Sequence, residues 1–210
     1  MLSAALSGFF LSFSLILAIG AQNAFVFRQG LLARHVHLVV WFCAVSDAIL
    51  ICAGVFGLGH VLAPVMAEYE AAIFAAAALW LSWYGAVRLR SALMISDSLA
   101  VQNQDGKTRS ALKILGAIAL ITWLNPHVYI DTVLLIGTLS LGFEGGDKIS
   151  FAIGASIASA SFFASLGYGA ARLHRYMTHP RAWQLVDFGT AAIMFIFAAI
   201  MLFQAIPEQS

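Results

Sequence analysis

The chain has 210 residues, of which 61% are hydrophobic and 10% are charged, with a formal net charge of +1. Soluble globular domains carry about 25% charged residues, so this composition excludes a soluble domain and indicates an integral membrane protein. The near-neutral charge gives no reason to expect nucleic acid as a partner. We therefore expect the protein to lie in the lipid bilayer.

Six apolar segments are long enough to cross a bilayer, since a span needs about 20 apolar residues. They cover residues 2–27, 38–63, 67–89, 112–136, 151–173 and 183–203. The first 24 residues lack the basic region and the cleavage site of a signal peptide, so the first segment is expected to remain. The sequence therefore predicts an all-α, multi-pass membrane protein of one domain, 1–210, with six transmembrane helices.

The basic residues are distributed unevenly among the loops. With six crossings, all but Lys148 fall on one side of the membrane: Arg28, Arg34, Arg88, Arg90, Lys107, Arg109, Lys113, Arg172, Arg175 and Arg181. The positive-inside rule makes that side cytoplasmic and puts both termini outside. A five-span alternative, with a re-entrant first segment and the N-terminus inside, satisfies the same rule.

The polar loop 91–111 divides the chain into two halves of three helices, 1–90 and 112–210. The halves then enter the membrane in opposite directions, as in the inverted repeats of secondary transporters. Gln22 and Asn23 of the first segment can be aligned with the region of Asn125 in the fourth. The predicted fold is a 3+3 inverted repeat.

The fourth segment contains the stretch Thr122-Trp123-Leu124-Asn125-Pro126-His127-Val128-Tyr129-Ile130-Asp131. Pro126 is the one proline that falls inside a predicted span, and it lacks the amide hydrogen that a helix needs. This predicts that the fourth helix is broken at Asn125-Pro126, with a freed Thr122 carbonyl that is able to bind a cation. The alternative is a plain kink that neighbouring helices satisfy.

Two acids lie within predicted spans, although an ionised acid at a helix centre costs roughly 2.5 to 3.5 kcal/mol. Asp47 is near the middle of the second segment, and Asp131 follows His127 by four residues, one helical turn. The sequence puts no Lys or Arg in the interior of a span, which favours a cationic substrate. Asp47, His127 and Asp131 are the candidates for carrying protons. The alternatives are a neutral, hydrogen-bonded His127 and an interfacial Asp131; Asp187 is also expected at the interface.

Other polar residues complete the candidate site. Gln22 and Asn23 supply amides that suit the carboxylate and amino group of an amino acid, or alternatively cap the cytoplasmic mouth. Ser159, in the small-residue fifth segment, is expected either to pack closely or to face the cavity. Cys43 and Cys52 are roughly 13 Å apart on a helix, too far for a disulfide. Neither a metal site nor a cofactor is predicted.

Three motifs together resemble the LysE family of bacterial amino-acid exporters, closest to its lysine and arginine branch. They are Gly20-Ala21-Gln22-Asn23-Ala24-Phe25, Ser46-Asp47, and the stretch from Thr122 to Asp131. The resemblance covers essentially the whole chain. It implies export of L-lysine, L-arginine and analogues such as canavanine, driven by the membrane potential or the proton gradient. A homodimer is left open.

The same resemblance implies a set of substrate-binding positions: Gln22, Asn23, Asp47, Asn125, Pro126, Tyr129 and Asp131. The family usually has proline where this chain has Ala21. A less sharply broken first helix is therefore expected, with Pro126 carrying more of the gating.

Two other transporter functions stay open on the residues alone, the export of neutral amino acids and the export of a divalent metal. An intramembrane enzyme that uses Asp47 and Asp131 is a further alternative. The chain lacks the His-Glu-x-x-His and Gly-x-Gly-Asp patterns that such an enzyme would carry. The sequence thus favours a transporter.

Overall fold

A computed structural model describes residues 1–17, 20–58, 64, 68–94, 111–176 and 180–205. The described elements are all helical. We number the main ones α1 (Leu2–Ile16), α2 (Ala21–Leu31), α3 (Val36–Val55), α4 (Glu70–Leu93), α5 (Ala111–Trp123), α6 (Pro126–Gly142), α7 (Gly145–Leu173) and α8 (Pro180–Gln204). Most of the predicted loop 91–111 and residues 59–63 of the second segment lie outside the described residues.

The helices have the length and composition of membrane spans. α3, α4, α8 and α7 with its 3-10 extension to Tyr176 each qualify alone, and the bent pairs α1–α2 and α5–α6 each qualify as one unit, which gives four to six candidate spans among the described residues. Large apolar side chains such as Leu79, Trp83 and Phe203 are exposed on the outside. An apolar exterior of this kind suits a hydrocarbon surrounding. The prediction of a multi-pass, all-α membrane protein is confirmed.

The first predicted span is broken more sharply than expected. The angle between α1 and α2 is 83°, whereas that between α5 and α6 is 61°. Gly20 caps α2 in an extended conformation, with φ −106° and ψ 176°, so the helix restarts at Ala21 without a proline. The Asn23 amide donates a 3.0 Å hydrogen bond to the Ile16 carbonyl across the break. A side chain thus satisfies the carbonyl that the break frees.

The break in the fourth span occurs at Asn125-Pro126, as predicted. Pro126 occupies the first turn of α6, where its missing amide hydrogen costs nothing. The Asn125 side chain accepts a 3.1 Å hydrogen bond from the His127 amide. The Tyr129 hydroxyl donates a 2.8 Å bond to the Trp123 carbonyl at the end of α5. Both sides of this break are therefore capped by side chains.

The helices pack closely where small residues meet. α1 runs along α7, α4 runs along α8, and α3 packs on both α7 and α6. A Cβ added at Gly8 or Gly154 would collide with the backbone of Phe151 or Ala5, so α1 and α7 approach within backbone contact. Close approach at small residues is a common way for helices to associate in membranes.

Side-chain contacts define two ends of the molecule. At one end Arg28 of α2 and Arg88 of α4 meet Asp187 of α8, and His174 Nδ1 lies 2.7 Å from the carbonyl of Leu31. We call this the arginine end. At the opposite end the amino group of Met1 pairs with Asp147 at the start of α7. The last residues of α2, α4 and α7 therefore lie together, as alternating crossings require.

The crossing of α3 and α6 provides a stability test. A Cβ at Gly54 would lie 2.8 Å from Val133 Cα and 3.0 Å from Thr132 O. We expect Gly54→Ala to destabilise the protein in detergent by about 1–3 kcal/mol, because the two backbones must separate. The matched control is Gly116→Ala in α5, where a Cβ meets no described atom within 4 Å. Equal thermal unfolding midpoints for both variants would contradict the close crossing.

Candidate functional site

A cavity of about 280 Å³ lies where the two helix breaks meet. This volume is close to the lower limit of sites for small molecules. The residues that line it come from the two bent pairs and from α3, α7 and α8: Ser12, Leu15, Ile16, Gly20, Ala21, Gln22, Asn23, Asp47, Ile51, Asn125, His127, Val128, Asp131, Thr132, Ile136, Phe163 and Phe197.

Six of the eight residues predicted for the site line this cavity: Gln22, Asn23, Asp47, Asn125, His127 and Asp131. The structure brings them together from three separate parts of the chain. Pro126 and Tyr129 are not among the lining residues, because Pro126 is buried and the Tyr129 hydroxyl is directed at the Trp123 carbonyl. These two residues shape the break.

Asp47 is the buried acid of the cavity. It is 5% exposed, and the Ser159 hydroxyl donates a 2.7 Å hydrogen bond to its Oδ2. The preceding residue, Ser46, also contacts the broken helix, because Trp123 Nε1 donates a 3.3 Å hydrogen bond to Ser46 Oγ. A hydroxyl partner supplies no charge. A carboxylate at this place therefore needs a proton or a cation from the cavity.

The amides of Gln22 and Asn23 have different surroundings. The Gln22 carboxamide lies beside Asp47 and Cys43, and its nitrogen is buried without a hydrogen bond of good geometry among the described residues. The Asn23 amide donates across the break to Ile16. A buried donor that lacks such a bond is costly unless a ligand supplies an acceptor. Gln22 is therefore the better candidate for contact with substrate.

His127 and Asp131 belong to the helix that restarts after Pro126. The His127 ring stands edge-on between Phe74 and Phe197, with ring centroids 6.4 Å away in both cases. Asp131 is exposed and lies in a π-helical stretch, Tyr129–Leu135, which replaces the α-helical turn assumed from the sequence. π-helical turns occur frequently at functional sites. Both side chains still line the cavity.

The cavity is acidic and partly aromatic. Its described lining contains two aspartates and no lysine or arginine, together with the rings of Phe163 and Phe197. Carboxylates attract a cation, and the faces of aromatic rings also stabilise positive charge. The arrangement suits a small molecule with a positively charged group.

Asp187, which the sequence places at the membrane interface, lies at the arginine end and has protein partners there. It is 5% exposed, its Oδ1 lies 2.8 Å from Arg28 Nε and 3.9 Å from Arg88 Nη1, and Arg88 is buried whereas Arg28 is partly buried. The sequence did not predict this ion-paired cluster. Hydropathy assigns arginines near helix ends to loops, and it cannot detect an acid on a distant helix that pairs with them. These three residues do not line the cavity.

Two serines complete the site. Ser159 bonds to Asp47 without lining the cavity, whereas Ser12, which received no role from the sequence, does line it. The Ser12 hydroxyl is fully buried at the cavity and has no hydrogen-bond partner among the described residues. The available signal was a hydroxyl in the middle of an apolar helix, which is weak because serine often bonds to its own backbone.

The chain is similar over most of its length to known proteins. It is 36% identical over 199 residues to the arginine exporter protein ArgO of Photorhabdus laumondii subsp. laumondii, covering 94% of both chains. It is 35% identical over 198 residues to ArgO of Yersinia enterocolitica, covering 94% of this chain and 95% of the relative. ArgO of Pectobacterium atrosepticum is 34% identical over 189 residues, with 90% and 91% covered. No solved structure matches.

Family membership follows from a match that includes nearly the whole chain. The family described as LysE type translocator matches residues 13–205, which contain both helix breaks and most of the cavity lining. The family and the arginine exporters point to a transporter and not to an enzyme. The resemblance noted in the sequence is confirmed: this chain belongs to the LysE family of translocators.

Proposed function

We propose that this chain exports basic L-amino acids, arginine and lysine together with analogues such as canavanine, from the cytoplasm. The observation that carries the proposal is the cavity itself, whose described lining has two carboxylates and no basic side chain. The similar proteins named arginine exporters support the same class of substrate.

The cavity offers a complementary group for each charge of such a substrate. Asp47 receives the guanidinium or ammonium of the side chain, with Asp131 as a second acid. Ala21 at the start of α2 and His127 in the first turn of α6 line the cavity, and helix N-termini favour a carboxylate. The Gln22 amide adds a donor for the same carboxylate. The substrate is therefore bound across the two breaks.

The proposed topology has six spans in the bacterial inner membrane as a 3+3 inverted repeat. Each bent pair forms one span, the halves are 1–90 and 112–210, and both termini are outside. Packing of α3 on α7 and of α4 on α8 supports the repeat, because these are equivalent helices of the two halves. The gathering of arginines at one end supports a cytoplasmic assignment for that end.

Export of a cation needs an energy source. Moving one charge against an inside-negative potential costs roughly 2.3 kcal/mol per 100 mV. Exchange for at least one proton therefore accompanies each substrate molecule, and the cavity groups that can carry it are Asp47, His127 and Asp131. Competition between proton and substrate at the acids resets the carrier.

Removing the buried charge tests the substrate assignment. We expect Asp47→Asn to reduce efflux of radiolabelled arginine by about tenfold or more, because a charge-assisted contact of roughly 1.5–3 kcal/mol is lost. Growth in the presence of canavanine should fall in parallel. The control is Asp147→Asn, which removes an acid at the opposite end, far from the cavity.

Competition in the same efflux assay separates the alternative substrates. Lysine should compete with arginine, whereas threonine and Cd²⁺ should not. Strong inhibition by threonine alone would favour a neutral amino-acid exporter, and inhibition by Cd²⁺ alone would favour a metal exporter. If the Asp47→Asn variant exported arginine at the parent rate, Asp47 would not belong to the binding site.

A further prediction concerns the coupling of arginine export to the proton gradient. In energised vesicles, collapse of the pH gradient with the potential held constant should reduce net arginine transport, since the exchanged proton then supplies less energy. Asp131→Asn and His127→Gln should each make transport less sensitive to that collapse. If transport were unchanged after collapse of the pH gradient, proton exchange would be contradicted, and the membrane potential would have to drive export in another way.

The topology is tested with reporter fusions. Alkaline phosphatase fused after residue 205 should be active, because the C-terminus is proposed to be outside, whereas a fusion within 91–111 should be inactive. A fluorescent protein that folds only in the cytoplasm should give the reverse pattern. Activity of alkaline phosphatase at both sites would contradict the six-span topology.

A further inference from the structure

We propose that α2 is the gate at the arginine end of the transport path, with its hinge at Gly20 and its closed position held by the ion pair of Arg28 with Asp187. The inference rests on the proposed function, since a gate requires a path. It gives a transport role to three charged residues that do not line the cavity, of which Arg88 and Asp187 are buried.

The ion pair lies beyond the cavity and toward the arginine end. Arg28 follows the cavity residue Gln22 by six positions in α2, roughly 9 Å along the helix axis. Asp187 precedes the cavity residue Phe197 by ten positions in α8, roughly 15 Å. These separations place the pair between the cavity and the arginine end, where the proposed path leaves the protein.

Side chains of α2 and α4 meet between the cavity and the ion pair. Phe25 and Tyr84 are 3% and 6% exposed, and their ring centroids are 5.9 Å apart. The guanidinium carbon of Arg88 lies 4.9 Å from the centroid of the Tyr84 ring. In the proposed gate this aromatic pair is the closed layer, and it separates when α2 moves.

The charged cluster joins α2 to the neighbouring pair of helices. α4 and α8 are packed along each other, and Asp187 lies between Arg28 of α2 and Arg88 of α4. Replacing a buried ion pair by apolar residues often costs no stability, whereas removing one partner leaves a charge without compensation. Such a pair therefore specifies one arrangement. Once α2 moves, water reaches all three charges and offsets their separation.

The connection between α1 and α2 allows this movement. α2 has 11 residues, and Gly20 in front of it is already extended. Glycine has access to more backbone conformations than other residues, and hinges absorb a rotation in a few such positions. α2 can therefore turn as a rigid body without loss of its internal hydrogen bonds, once it separates from α7, which it approaches closely at Gly30.

A native cysteine reports the state of this gate. Cys43 is 0% exposed and lies beside Gln22 and Asp47, at the junction of the cavity and the closed layer. We would replace the exposed Cys52 by serine and measure the reaction of Cys43 with a membrane-impermeant maleimide. The reagent is added to inverted and to right-side-out vesicles in separate experiments, with no amino acid present.

In the parent protein Cys43 should react slowly from both faces. Arg28→Gln and Asp187→Asn should each raise the rate by about tenfold from the arginine-end face alone, because the open state becomes more populated. The matched control is Arg172→Gln, an exposed arginine at the same end, which should leave the rate unchanged. Where a single variant fails to insert, Arg28→Gln with Asp187→Asn removes the pair together.

Three results would overturn the gate. They are an unchanged rate in variants with normal thermal unfolding, an equal increase from both faces, and failure of the double variant to insert, which would indicate a purely structural pair. Since no substrate is used, these results are separate from a failure of arginine efflux. If the labelling rates change as expected but arginine efflux is absent, the proposed function is contradicted and the gate is not.

Discussion

The peptide hydrogen bonds at the two helix breaks determine this architecture. In hydrocarbon no water replaces a bond that a broken helix loses, so each freed group must find a partner within the protein. Asn23 supplies that partner at the first break, and Asn125 and Tyr129 supply it at the second. The cavity exists because both breaks are stable. Asn23 and Tyr129, which the family resemblance suggests as substrate ligands, therefore have a structural reason to be present.

The charged residues of the cavity and of the arginine end form two groups with opposite chemistry. The aspartates of the cavity face a lining without basic side chains, so their partner must come from outside the chain. Asp187 has its partners in Arg28 and Arg88, so that group is satisfied internally. A protein that only needed stability would gain little from either group, since apolar residues pack at least as well. The separation of the two groups suits the proposed carrier. Its acidic cavity binds the cationic substrate, and the ion pair that holds the gate closed does not compete for that substrate.

The sequence predicts the features whose cost is local. Pro126 cannot donate to a helix, and a carboxylate at Asp47 is expensive at any mid-membrane position, so both could be assigned from their own segments. Features that depend on distant partners were not accessible. Asp187 and Arg28 are 159 positions apart in the chain, and Ser159 and Asp47 are 112 apart. Hydropathy treats each helix alone, and therefore could not identify the partners of Asp187 and Ser159.

The two breaks differ in a way that supports a gate at the first break, whereas the sequence leads us to expect that Pro126 carries more of the gating. A proline break is permanent, because the missing amide hydrogen can never complete the helix, and α6 is further fixed by the Asn125 cap and the close crossing with α3. Gly20 has its amide hydrogen and a wide range of backbone conformations, so the first break can change its angle. The sharper bend is also the one without a proline. The rigid break therefore keeps the binding groups in place, while the glycine break is the one suited to move a helix between two packed positions.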